Sequence, residues 1–140
     1  MALHHLLNVT IIEAAVSDRS GTGKVDPGAA LVCGQLSAGG SVEMRLVTLD
    51  EEIQQGRIPV PQYLKIDVEG AELRALIGAM KILRTAAPDI LSETHSASGG
   101  EFRDVHQQCW SLLRDRGYEF TSLTSSPVSG TDQLYVYHPA

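Results

Sequence analysis

The chain has 140 residues, 43% of them hydrophobic, and a formal net charge of −6. That length and composition suit a single globular domain with its own core. The acidic balance, with no Lys/Arg cluster, argues against nucleic acid or an anionic membrane surface as a partner. No apolar run is long enough to cross a bilayer. The opening MALHHLLN lacks the basic start and sustained apolar core of a signal peptide, so the expected location is cytoplasmic. Cys33 and Cys109 belong to no CxxC pattern and are expected to stay thiols.

In chain order, Ala2–Leu7 carries leucines at helical spacing and reads as the end of a helix, stopped at Asn8. Val9–Val16 is rich in β-branched residues and reads as a buried strand, followed by a Ser17–Gly21 turn. Thr22–Val47 is punctuated by glycine and proline. Its expected strands are Leu31-Val32 and Val42–Val47, forming a loose antiparallel hairpin. Thr48 with Glu51 three residues later is a capping box, so a short helix runs over Thr48–Gln55 and ends at Gly56.

Tyr63–Leu83 organises the rest. Leu64, Ile66 and Val68 alternate with Lys65, Asp67 and Glu69, which is strand periodicity. After Gly70, Leu73, Leu76, Ile77, Met80 and Leu83 mark one face of a helix, with Glu72, Arg74 and Lys81 pointing elsewhere. Beyond Pro88, Asp89–Thr94 reads as a strand and His95–Gly100 as a loop at its carboxyl end. Phe102–Arg116 reads as a helix closed by Gly117. Tyr118–Leu123 and Gln133–Tyr137 finish the chain as two strands. The order predicts an α/β fold, mostly parallel, with an antiparallel C-terminal strand pair.

LKIDVEGAELRALIGA resembles the hallmark segment of FkbM-type methyltransferases. NVTIIEAAVSDRSG, VTLDEEI and PDILSETH are similar to that family's flanking segments in the same order. The resemblance runs from about Asn8 to the C-terminus. It implies a Rossmann-like class I methyltransferase sheet, S-adenosylmethionine as cofactor, and a small-molecule or sugar hydroxyl as acceptor. The family's Gly-rich turn after the first strand and the acidic residue after the second have no counterpart. Gly39-Gly40 and Gly99-Gly100 do not sit between a strand and a helix as such a turn requires. The chain therefore reads as an N-terminally truncated, partial domain over residues 1–140, lacking the first strand, that turn and the second strand. A lost first strand would leave a gap in the sheet.

Methyl transfer to oxygen is an in-line displacement that needs alignment and benefits from a general base. Asp67, Glu69, Glu93 and His95 are the candidates, because neighbouring parallel strands bring their carboxyl ends together. Asp67 would face the donor's amino group or the acceptor hydroxyl; the competing reading has it cap the next helix or pair with Lys65 or Arg74. Glu69 precedes a helix, where an anion is favoured in any case. His95 could accept the acceptor's proton with Glu93 orienting it, or be a solvated loop histidine. The resemblance places Ala14 and Ala15 beside the adenine, whereas close strand packing explains them equally well. A magnesium site from Asp67, Glu93 and His95 is not demanded by the spacing. His4, His5, His106 and His138 are expected at the surface, and Trp110 in packing. The rival class is a non-catalytic α/β interaction module that lacks the cofactor site. A weaker third reading is a carboxylate-pair hydrolase using Asp67 and Glu93.

Overall fold

The computed structural model describes residues 8–26, 35–36, 39–94, 102–123 and 133–140. Eight strands and four helices follow one another as β1 (Ala15–Val16), β2 (Gly21–Asp26), β3 (Gln35–Leu36), β4 (Val42–Val47), α1 (Leu49–Gln54), β5 (Tyr63–Ile66), α2 (Glu72–Ile77), α3 (Met80–Thr85), β6 (Asp89–Thr94), α4 (Phe102–Arg114), β7 (Tyr118–Ser122) and β8 (Gln133–Pro139). The class is α/β, with two separate mixed sheets of four strands ordered β1-β4-β2-β3 and β5-β6-β8-β7. Only β1·β4 and β5·β6 pair in parallel. The remaining described pairings are antiparallel. The expected mostly parallel sheet is thus corrected: parallel pairing survives at one edge of each sheet, where β1 and β5 have a neighbour on one side.

Local departures from the sequence reading have physical causes. Of the run Val9–Val16, only Ala15–Val16 is strand, because only those residues find a partner, Leu46–Val47 of β4. Val9 and Ile11 stay exposed; β propensity alone leaves backbone groups to water. β4 pairs antiparallel with β2; Leu31-Val32 and Ala2–Leu7 lie outside the described residues. Gly23, read as punctuation, makes room instead: a Cβ there would meet the Leu46 side chain at 2.8 Å.

The helix expected after Leu73 is two helices. Asp50 of α1 reaches across and accepts from the Lys81 and Ile82 amides at 2.7 and 3.0 Å. Those are second- and third-position amides of α3, which carries no side-chain cap of its own. Gly78, at the break, lies directly under the Ser17 carbonyl, and its own carbonyl accepts from Asp50 N at 2.9 Å. This junction ties the end of β1 to the helices over the second sheet. The Thr48 half of the capping box holds, with Oγ1 accepting from Glu51 N at 3.2 Å, while the Glu51 carboxylate accepts from Ser20 Oγ.

Ile66, Leu76, Ile82, Leu83, Ile90 and Leu113 form the centre of the core between α2, α3, α4 and one face of the second sheet. Glu72 belongs there as well. It is fully buried, which corrects its assignment to the outer helix face. His106 is no surface residue either: its ring stacks on Tyr135 with centroids 4.0 Å apart, and burial lowers its pKa. His138 bonds Asp89 at 2.9 Å. Trp110 packs edge-on against Phe120 beneath Arg114. Cys109 is a buried free thiol; Cys33 lies outside the described residues.

Candidate active site

The site is built where β5 turns into α2. The β5 register pairs Lys65 with Leu91 and Ile66 with Ser92. Side chains alternate along a strand, so Ile66 and Ser92 face the core while Lys65 and Asp67 face the other way. That second face of the sheet is open: Tyr63, Lys65, Asp67, Glu119 and Thr121 are exposed along it.

Asp67, one residue past β5, has its Oδ2 2.6 Å from Lys65 Nζ. The pair is accessible, with 35% of the Asp67 side chain and 59% of the Lys65 side chain exposed. The Asp67 hydrogen bond raises the Lys65 pKa, the charge of Asp67 adds to this, and Glu93 contributes from β6. Asp67 thus pairs with Lys65, and the charge of Glu93, toward the carboxyl end of the adjacent strand, also bears on that ammonium.

Beyond Val68 the chain turns through two consecutive left-handed residues, Glu69 (φ 50°) and Gly70 (φ 90°). Glycine adopts this conformation without penalty, but a glutamate does not. Ala71 N closes the turn on Val68 O at 3.2 Å, and Gly70 N donates to Glu72 Oε1 at 3.0 Å. Glu69 is half-buried on this turn, beside Asp67.

The other candidates divide. Ala14 and Ala15 are half-buried, Ala14 just before β1 and Ala15 within it, so they belong to the first sheet's edge while the acids belong to the second sheet. His95 lies outside the described residues. Among the described residues, no group of three His, Cys, Asp or Glu side chains is placed to hold a metal. A cavity of about 700 Å³ lined by Pro61, Tyr63, Pro88 and Asp89 sits at the amino ends of β5 and β6, opposite the acidic turn.

The Asp67–Lys65 pair is the competing reading of the sequence, realised in the structure; the residue that sequence reasoning missed is Glu72, the anchor of the turn. Glu72 had a legible signal. It stands three, four and seven positions before Ala75, Leu76 and Ala79, all buried, so helical spacing puts it on their face.

With this geometry in place, comparison with known proteins decides the family. The model of the methyltransferase FkbM domain matches residues 4–120. The chain belongs to this family. Hexuronic acid methyltransferase AglP of Haloferax volcanii is 35% identical over 51 residues, which is 36% of this chain and 21% of that protein. Among solved structures, methyltransferase FkbM from Methylobacillus flagellatus KT matches with a TM-score of 0.49 and 22% identity, covering 69% of this chain and 24% of that one. The FkbM-domain chain described here thus spans about a fifth of the curated relative and about a quarter of the solved one. No helix among the described residues is long and apolar enough to cross a membrane.

Proposed function

We propose that this FkbM-domain chain carries part of the site of an S-adenosylmethionine-dependent O-methyltransferase acting on a hydroxyl of a sugar or secondary metabolite. One observation carries the reading: within a matched FkbM domain, the parallel β5–β6 register sets Asp67 and Glu93 at neighbouring carboxyl ends of the two strands. The sugar-type acceptor draws support from the curated relative, a hexuronic acid methyltransferase.

The acids suit the donor chemically. Asp67 already holds a primary ammonium, that of Lys65, at 2.6 Å, and S-adenosylmethionine carries an amino group of the same kind. Asp67 would hold that group, with Ala14 and Ala15 as the proposed small surface for adenine. When bound, the cofactor supplies an activated methyl group on sulfur. The protein's part is to orient the acceptor oxygen in line and remove its proton. Glu69 and Glu93 bring negative charge to the acceptor side. His95, two positions after Glu93 in sequence, is the proposed base.

The test is calorimetry of S-adenosylmethionine binding to the protein in its full reading frame, wild type against Asp67→Ala. Wild-type binding that Asp67→Ala weakens at least about tenfold is the expected result, since an ion-paired contact of about 1.4 kcal/mol corresponds to that factor. No donor binding by wild type overturns the proposal.

A second reading, an interaction module completed by another chain, is favoured by the two sheet edges. Among the described residues β1 pairs only with β4, and β5 only with β6. Unpaired edges are templates for an added strand. Light scattering across a concentration series separates the readings: a strictly monomeric chain that binds donor leaves no need for the module.

A further inference from the structure

We infer that Glu72 is a positioning residue: its buried carboxylate clamps the left-handed Glu69-Gly70 turn and so sets where Asp67 and Glu69 stand. The inference rests on the methyltransferase reading for its functional consequence, but not for its geometry.

Four observations carry it. Glu72 has no solvent exposure, although it is the first residue of α2. Its Oε1 accepts from the Gly70 amide at 3.0 Å. That amide belongs to a residue at φ 90° and follows a glutamate at φ 50°, a conformation that an L side chain adopts only when its surroundings impose it. Glu72 and Cys109 of α4 are both buried, on helices that pack together, and the charge of Glu72 adds to the rise of the Cys109 thiol.

A buried carboxylate is a poor choice for stability alone, because an apolar residue of similar size packs without desolvating a charge. Its presence is accounted for by the amide it holds. Gly70 N would otherwise lack an acceptor within the turn, and Glu69 would be free to relax to φ below zero. Relaxation there would shift Glu69 and the chain that joins it to Asp67. Val68 and Ala71, whose own backbone bond closes the turn at 3.2 Å, cannot by themselves prevent this, since that bond leaves the Gly70 amide unheld.

The experiment crosses reach against charge. Glu72→Gln keeps the chain length and a carbonyl acceptor but loses the charge. Glu72→Asp keeps the charge but is one methylene short of Gly70 N. Both are read by amide hydrogen exchange at Gly70 and by the Asp67 carboxyl carbon shift in NMR spectra, with no donor present. A positioning clamp leaves Gly70 protection and the Asp67 shift of Glu72→Gln as in wild type. In Glu72→Asp it accelerates Gly70 exchange at least about tenfold, the factor for one hydrogen bond worth about 1.4 kcal/mol, and moves the Asp67 signal. The inference is overturned if Glu72→Asp keeps wild-type protection, or if protection is lost while the Asp67 signal stays put. Donor affinity is then measured in the full reading frame. If wild type binds no donor, the functional reading falls and the clamp still stands or falls on Gly70 and Asp67. If wild type binds, Glu72→Asp is expected to weaken binding and Glu72→Gln to match it; equal affinity in all three refutes positioning.

Discussion

Replacing Gly78 by alanine sets two effects of opposite sign against each other. Gly78 has φ −70° and ψ −5°, an ordinary helical conformation, so alanine is locally favoured by roughly 1 kcal/mol from helix propensity and the stiffer unfolded chain. The tertiary structure opposes it. A Cβ at residue 78 would stand 2.1 Å from the Ser17 carbonyl oxygen and 3.3 Å from Thr48 Cβ. The first contact is with backbone and falls more than an ångström short of ordinary van der Waals separation, so no rotamer change relieves it. Overpacking of this kind costs about 1–3 kcal/mol. The displacement also endangers the 2.9 Å bond from Asp50 N to Gly78 O, worth about 1 kcal/mol. The net expectation is a loss of about 2 kcal/mol, which for a chain of this size lowers the thermal midpoint by roughly 6–12 °C. Circular-dichroism melts of the purified chain measure it. Gly56→Ala is the control: a Cβ there meets nothing within 4 Å but sits at φ 69°, so it should lose only about 1 kcal/mol to backbone strain. A Gly78→Ala midpoint at or above wild type, or a smaller loss than Gly56→Ala, refutes the close approach of β1 to the α2–α3 junction.

Three further outcomes are expected. Asp50→Ala strips the acceptor from two α3 amides 31 and 32 positions away and should cost about 1–2 kcal/mol in urea unfolding; an unchanged midpoint would remove the cross-helix cap. Stability should fall on acidification in two stages. His106 has its pKa lowered by burial from 6.5, so its contribution is complete above that value and declines as pH drops below it. The Arg57 hydrogen bond lowers the Glu52 pKa from 4.5 against the opposing effect of burial, aided by the charges of Arg57 and Arg45. That contribution is present above pH 4.5 and is lost as pH falls through the lower folded value. Melts from pH 8 to 3 should show His106→Phe without the upper decline and Glu52→Gln without the lower. Burial, with Glu72 nearby, pushes the Cys109 thiol up to about 12; iodoacetamide at pH 8 should leave it unmodified until the protein is unfolded, because the thiolate is the nucleophile.

Much of this molecule is written in local pattern. The alternation of Leu64 and Ile66 with Lys65, the Thr48 cap, the apolar face of α4 and the Gly117 stop all match the structure, at φ 80° for Gly117. These features depend on residues within a turn or two of each other, where propensity and capping decide. The IDVEG acids were legible as candidates because a strand-to-helix turn places them at a strand end whatever surrounds it.

Contacts far apart in sequence decided the rest. Within Leu73–Leu83 Gly78 alone hints at a break; Asp50 and the Ser17 carbonyl impose it from 31 and 61 positions away. Val9–Ile12 has the composition of a strand but, among the described residues, no partner strand. Gly21–Asp26 has the composition of a turn yet becomes a strand, because β4 lies alongside it and Gly23 leaves space for Leu46. The charge of Glu93 bears on Lys65 only because β6 lies alongside β5. Local propensities amount to fractions of a kcal/mol per residue, whereas a backbone left without a partner or a buried carboxylate without a donor costs more than that. Partner and burial are properties of the folded chain, so the split helix, the two sheets and the buried Glu72 emerge only with the tertiary structure.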